Sequence, residues 1–335
     1  MNLKSLKNKT KEMQHMDIVA LICLCCAVLF FVWKAPYGFG LADESWYFTF
    51  PQRLTMGDSL LTHEWHVAQL ISFFLYLPYK IYTSITGTTE GIILFFRYIF
   101  IVMQSVVSTV VYYRLKNYGF FSIIAALVIF LNIPFTIMSL SYYAMGIAFV
   151  TITGVLMATA REYNKATFYC AGISMAFAVI CNPVLTGVFI LYSVCVLAHE
   201  KTENKKKSFF KFAEVSFSFK AWLWIFFGIL TVVTVFIVFL GIFMFSRSSL
   251  KEILENLPML FTDPEYDFSD SGGQGIFTFK KTFFALINIS PILFAVFSLL
   301  FSIILIDKKR LSHRLAYLAI AIPSFFAHII IVVRA

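Results

Sequence analysis

Long apolar runs separated by short polar segments alternate along almost the whole chain. Several of them reach or approach the ~20 residues that a helix needs to cross a bilayer. A backbone in lipid must satisfy its own hydrogen bonds, so such runs are predicted to be α-helices. The short alternating segments of a membrane β-barrel are missing from the sequence. The pattern predicts about nine spans, near 17–34, 90–113, 119–135, 144–160, 166–181, 183–199, 221–245, 282–306 and 314–334.

Two polar segments between these runs are long, 38–89 and 246–281. The first begins GFGLADESWYFTFPQRLTMGDSLLTHEWH and continues into an interrupted apolar stretch. The second opens with SLKEILENLPML, which predicts a short helix, and continues into a glycine-containing sequence. It is interpreted as a flexible connector, with a mobile loop over an external site as the alternative.

The lysines and arginines predict the side of the membrane on which each segment lies, because cytoplasmic loops carry an excess of them. A basic flank precedes the first apolar run, at Lys4, Lys7, Lys9 and Lys11. No small-residue cleavage site follows that run, so it is predicted to be an uncleaved anchor. The N-terminus is then cytoplasmic, and residues 38–66 lie outside.

Residues 67–84 decide the topology of all later segments. They are apolar, but Gln69, Pro78 and Lys80 interrupt them. If this stretch crossed the membrane, the later basic clusters would be external, which opposes the insertion bias. These clusters comprise Lys201, Lys205, Lys206, Lys207, Lys211, Lys220, Lys308, Lys309, Arg310 and Arg314. The sequence therefore predicts a juxtamembrane or re-entrant helix at the outer face, and both long polar segments become external loops.

Composition supports a membrane protein. Of the 335 residues, 60% are hydrophobic and 13% are charged, whereas soluble domains average roughly a quarter charged residues. The net charge of +9 gathers in short loops, which predicts membrane topology rather than nucleic-acid binding. The chain is interpreted as one multi-pass transmembrane domain, 1–335, of a bacterial plasma membrane. It ends directly after an apolar run, so it either stops at the membrane face or is the front part of a longer protein.

The candidate chemistry lies in the first loop. Asp43 and Glu44 are adjacent carboxylates, and a carboxylate can act as a general base. The alternative for Asp43 is a helix N-cap, where aspartate is favoured. The short cluster His63, Glu64 and His66 has the residue types of a divalent-metal site, or is simply a polar loop.

Three positive side chains in and after this loop are further candidates for a functional role, Arg53, Lys80 and Arg97. Arg97 falls within a predicted span, where ionisable residues are costly and usually functional. The alternative is that its side chain extends to the outer interface.

The order of these features resembles the GT-C superfamily of membrane glycosyltransferases, which includes protein O-mannosyltransferases and aminoarabinose transferases. The family's first span precedes an external loop with an Asp-Glu motif, a basic residue in the same helix, a Gly-Asp pair, a second carboxylate and a juxtamembrane helix. A span with an outer arginine follows. The matching residues are Asp43-Glu44, Tyr47, Arg53, Gly57-Asp58, Glu64 and Arg97. Many members carry Lys-Pro where Trp65-His66 stand here.

The resemblance implies transfer of a sugar from a polyprenyl-phosphate carrier to a glycan, lipid or protein acceptor outside the cytoplasm, with inversion. It implies Asp43 as the base, helped by Glu44. It implies substrate binding by further residues of the loop and the next span: Arg53, Asp58, Glu64, Lys80 and Arg97. A divalent cation is the one cofactor considered. Two alternatives stay open, a multispan transporter or flippase and a non-catalytic envelope assembly protein.

Overall fold

The computed structural model describes residues 3–38, 43–63, 66–134, 137–160, 162–203 and 215–256. Within these ranges every regular element is helical, which confirms the predicted all-α class. The helices are α1 (Leu3–Lys34), α2 (Asp43–Met56), α3 (Ser72–Thr86), α4 (Ile92–Leu115), α5 (Phe120–Leu131), α6 (Tyr142–Ala158), α7 (Lys165–Cys181), α8 (Thr186–Glu203), α9 (Phe219–Leu240) and α10 (Leu250–Asn256). Short 3₁₀ turns stand at Val67–Ile71, Lys116–Tyr118 and Pro183–Leu185, and a π-helical turn, Gly241–Phe245, extends α9.

Helices stand at the first seven predicted span positions, but they differ in length. In the described part of the chain, three stretches are long and apolar enough to cross a membrane: His15–Lys34, Ile92–Tyr118 and Phe219–Phe245. The other apolar helices are shorter: Phe120–Leu131, Tyr142–Ala158, Lys165–Cys181 and Thr186–Leu197. The eighth and ninth predicted spans lie outside the described residues. A membrane protein is therefore supported, and the count of nine spans stays a prediction.

Local chemistry sets several helix ends. Ser141, Asn164 and Ser218 each accept a backbone N–H bond at the start of α6, α7 and α9, which satisfies donors that have no partner within the helix. α5 ends early because Asn132 is extended, two residues before Pro134. The short helix predicted at the start of the second long polar segment is present as α10.

The helices α1 and α4 run antiparallel. Near the middle of α1, Asp17 Oδ1 accepts a hydrogen bond from the Tyr112 hydroxyl at 2.6 Å. Near its end, the carbonyl of Ala35 accepts one from Arg97. Residues 97 and 112 are separated by about 22 Å along a helix. The end of α1 and the start of α4 therefore lie at the same end of the bundle, which we call the platform end.

The segment between α1 and α4 packs on this end of the bundle. Near the start of α3, the ring of Phe73 lies 5.5 Å from that of Phe236 in α9. The neighbouring ring of Phe74 lies 5.3 Å from that of Phe177 in α7. Further along α3, the large apolar side chains of Leu77, Ile81 and Ile85 are exposed, on the face opposite to the buried Leu75 and Tyr79. An amphipathic helix of this kind suits a membrane surface.

Candidate functional site

In the first loop, α2, α3 and the turns between them pack together. We call this part of the chain, residues 43–63 and 66–86, the platform. It brings together most of the polar residues that the sequence singles out. They fall into two groups, one at the start of α2 and one at its end.

A buried ion pair fixes the start of α2. Arg97 Nε donates to Glu44 Oε1 and Nη2 donates to Glu44 Oε2, both at 2.6 Å. The remaining contacts of the guanidinium are with carbonyl oxygens just after α1, those of Ala35 and Gly38. Glu44 is 1% exposed and Arg97 is 6% exposed. This two-point geometry is the strong form of a charge-assisted hydrogen bond.

The pair gives Arg97 and Glu44 a structural role. A single guanidinium joins the end of α1, the start of α2 and the second turn of α4. Asp43 is the first residue of α2 and directly precedes the anchored Glu44. The position of Asp43 in the fold is therefore determined by a neighbour that the bundle holds firmly.

Aromatic rings surround the first turns of α2. Phe48, one turn after Glu44, stacks on Phe96 at 4.8 Å between ring centres. Tyr47, one turn after Asp43, meets Tyr142 at the start of α6, with 6.1 Å between the ring centres. The sequence did not single out Tyr142, because its only local signal is an aromatic residue after the Ser141 cap.

The second polar group stands at the end of α2. Arg53 Nε donates to Asp58 Oδ2 at 2.6 Å, and Arg53 Nη2 donates to the His63 carbonyl at 2.7 Å. Arg53 comes ten residues after Asp43, about 15 Å along a helix. The structure thus places Arg53 and Asp58 together but at the opposite end of α2 from Asp43.

The end of α9 contacts this second group. Arg247 Nη1 donates to the carbonyls of Leu54 and Asp58, at 2.9 Å and 2.7 Å. Leu60 N donates to the carbonyl of Phe243 at 2.7 Å. Two of these bonds satisfy the Leu54 carbonyl in the last turn of α2 and the Phe243 carbonyl of the π-helical turn, which have no partner within their own helices. The sequence did not indicate Arg247, since its partners are distant backbone atoms.

The two histidines use their Nδ1 atoms locally. His63 Nδ1 accepts from Ser59 N, and His66 Nδ1 accepts from Ala68 N, both at 3.0 Å. His63 Nε2 lies 3.8 Å from Glu252 Oε1 in α10. In the described part of the chain, no group of three His, Cys, Asp or Glu residues could hold a metal ion. Glu64 lies outside that part, so the metal site of His63, Glu64 and His66 stays a prediction.

Lys80 lies apart from both groups. It is exposed on α3, and its Nζ is 5.8 Å from the centre of the Tyr76 ring. Among the described residues, it is the exposed cation of α3.

A narrow depression opens between α2 and α3. Its lining residues are Phe50, Arg53, Leu54, Asp58, Ser59, Leu60, Gln69 and Ser72. The rim is polar and partly exposed at Arg53 and Asp58, whereas Ser72 is fully buried.

Comparison with protein families, with characterised proteins and with solved structures finds no match for this chain. The resemblance to the GT-C superfamily therefore rests on the motifs of the first loop and stays a prediction.

Proposed function

We propose that this protein is a membrane glycosyltransferase that moves a sugar from a polyprenyl-phosphate carrier to an acceptor at the outer face of the membrane. The observation that carries the proposal is the buried Glu44–Arg97 pair. It anchors the start of α2 at the platform end of the α1–α4 bundle. Asp43 then stands where a lipid-borne substrate meets water.

The two adjacent carboxylates have different roles in this proposal. Glu44 is committed to Arg97 and is a positioning residue. Asp43 is the general base, which accepts the proton of the attacking acceptor hydroxyl. As that oxygen bonds to the anomeric carbon, the bond from this carbon to the phosphate oxygen breaks. The lipid phosphate leaves with the electron pair, and the configuration at the carbon is inverted.

The cations are also assigned differently. Arg97 holds α1, α2 and α4 together instead of binding phosphate, because its guanidinium donates to Glu44 and to two carbonyl oxygens. Arg53 is paired with Asp58 and stands at the far end of α2. Lys80 is the exposed cation of α3 and is the candidate for attracting the donor phosphate.

The test is transfer of radiolabelled sugar from polyprenyl-phosphate hexoses and pentoses, with membranes that contain the unaltered protein or Asp43→Asn. We expect the substitution to lower the transfer rate by at least about 10²-fold, the usual contribution of a general base. The matched control is Asp17→Asn. It makes the same change near the middle of α1, away from α2, and keeps an oxygen that can accept from Tyr112.

Full activity of Asp43→Asn would remove the proposed base. If the unaltered protein transfers no sugar from any of these donors, the transporter or flippase alternative gains support. Movement of a fluorescent polyprenyl phosphate across proteoliposome membranes would then be the next measurement.

A further inference from the structure

The depression between α2 and α3 contains an unsatisfied polar group. Ser72 is 0% exposed, and its hydroxyl has no hydrogen-bond partner among the described residues. Leaving a buried hydroxyl unpaired costs about 1–3 kcal/mol. Because Ser72 lines the depression, a hydroxyl-sized group seated there would complete its hydrogen bonds.

The other polar groups of the depression are already engaged. Gln69 Oε1 accepts from Leu61 N at 2.8 Å, and Gln69 Nε2 donates to the His66 carbonyl at 3.0 Å. This bridge holds Leu61 at a φ of 65°, which is unusual for a residue with a branched side chain.

The charged residues that line the depression indicate which kind of ligand it can bind. Arg53 and Asp58 neutralise each other at 2.6 Å, so the rim carries no net charge for an anion such as phosphate. The Ser72 hydroxyl can both donate and accept. Phe50 adds an aromatic wall. A hydroxyl at the floor, polar groups at the rim and an apolar ring at the side suit a neutral polyhydroxylated ligand.

We propose that this depression is a subsite for one hydroxyl group of a carbohydrate, with the Ser72 hydroxyl as its partner at the floor. The depression lines up with residues 50–54 of α2, about 10–16 Å along the helix from Asp43. That distance is too long for the sugar on the reacting carbon. The subsite therefore belongs to the acceptor, which rests on the proposed function and makes the acceptor a glycan.

The test measures binding of the methyl glycosides of glucose, galactose, mannose and arabinose to the purified protein in nanodiscs, by ligand-observed NMR. Inorganic phosphate is the charged comparison. We expect at least one glycoside to bind and Ser72→Ala to weaken it up to about tenfold, the worth of one hydrogen bond. Ser108→Ala is the matched control, because Ser108 is also fully buried with an unpaired hydroxyl but does not line the depression.

Three outcomes would overturn the subsite. The unaltered protein binds none of the glycosides, Ser72→Ala and Ser108→Ala weaken binding equally, or phosphate binds and Ser72→Ala abolishes that binding. The substitution removes only an unpaired hydroxyl, so we expect Ser72→Ala to fold.

The proposed transfer reaction can be rejected independently of the carbohydrate subsite. If the glycosides bind in a Ser72-dependent way but no sugar is transferred, the glycosyltransferase proposal fails and the carbohydrate subsite stands.

Discussion

At the scale of single residues, the most informative side chain is Arg97. Its position inside an apolar helix predicts a functional charge, and a phosphate partner is a reasonable hypothesis from sequence. The structure instead places its guanidinium against Glu44 and the carbonyls after α1. A buried charge needs a complete set of partners, and the chain supplies them from two other segments.

Removing Arg97 should destabilise the protein strongly, because Glu44 would be left as a buried, unpaired carboxylate. We expect Arg97→Met to lower the free energy of unfolding by about 3–5 kcal/mol, measured by denaturant unfolding in mild detergent. Adding Glu44→Leu to Arg97→Met should restore most of the loss, since an apolar replacement of a buried pair is often neutral.

Arg53→Met is the matched control for this prediction. The Arg53–Asp58 side chains are 35% and 36% exposed, so their pair should contribute about 1 kcal/mol or less. The structural role of Arg97 is contradicted if Arg97→Met costs no more than Arg53→Met, or if the double variant is no more stable than the single one.

At the scale of helices, the crossing of α7 and α9 shows how closely two backbones approach. A Cβ atom added at Gly172 would lie 2.1 Å from the Ile225 carbonyl oxygen. One added at Gly228 would lie 2.3 Å from the Tyr169 carbonyl oxygen. Small residues that allow such contact are typical of helix pairs in membranes, where packing takes the place of the hydrophobic effect.

Alanine at either glycine should force α7 and α9 apart. We expect Gly172→Ala and Gly228→Ala each to lower the thermal unfolding midpoint clearly, with a loss of about 1–3 kcal/mol or more from overpacking. Gly154→Ala in α6 is the control, because a Cβ there meets nothing within 4 Å. It should be neutral or stabilise by up to about 1 kcal/mol through helix propensity. Equal midpoints for all three variants would contradict the close crossing.

At the scale of the whole molecule, the antiparallel arrangement of α1 and α4 constrains the topology. The end of α1 and the start of α4 share one end of the bundle. If both helices span the membrane, as their length and apolar composition allow, the chain between them crosses the bilayer an even number of times. A single crossing by α3 does not fit this arrangement. The simpler solution is that the chain between α1 and α4 does not cross the bilayer at all, because α2 carries Glu44 and Arg53 and is only 14 residues long.

Single cysteines should report this topology from outside intact cells, in a chain whose six native cysteines are replaced. We expect an impermeant maleimide to label Tyr37→Cys and Thr86→Cys, which flank the platform. Asn117→Cys, in the turn between α4 and α5, should be protected until the membrane is opened. If Tyr37→Cys is labelled from outside but Thr86→Cys is protected until the membrane is opened, α3 crosses the membrane and the platform is not a surface structure.

Much of the architecture could be predicted from local sequence patterns. The apolar runs predicted helices at seven positions, and the interrupted stretch at 67–84 predicted a separate helix, which appears as α3 after a 3₁₀ turn. The lengths were predicted less well, because a run such as 119–135 looks continuous until Asn132 and Pro134 end the helix. The candidate residues in and after α2 could be identified from their residue types. The sequence did not show that Asp43 and Glu44 lie at the anchored start of α2, whereas Arg53 and Asp58 lie at its other end.

The sequence by itself determined the all-helical class, the order of the helices and the concentration of polar chemistry in the first loop, because hydrophobic period and charge placement are local properties. Only the tertiary structure decided that Arg97 pairs with Glu44 across 53 positions of chain, that Arg247 caps the end of α2, and that Ser72 is buried without a partner. These are contacts between segments that lie far apart in sequence. A buried polar group pairs with a partner that lies close to it in the folded structure, and a local sequence pattern does not show which distant segment supplies that partner.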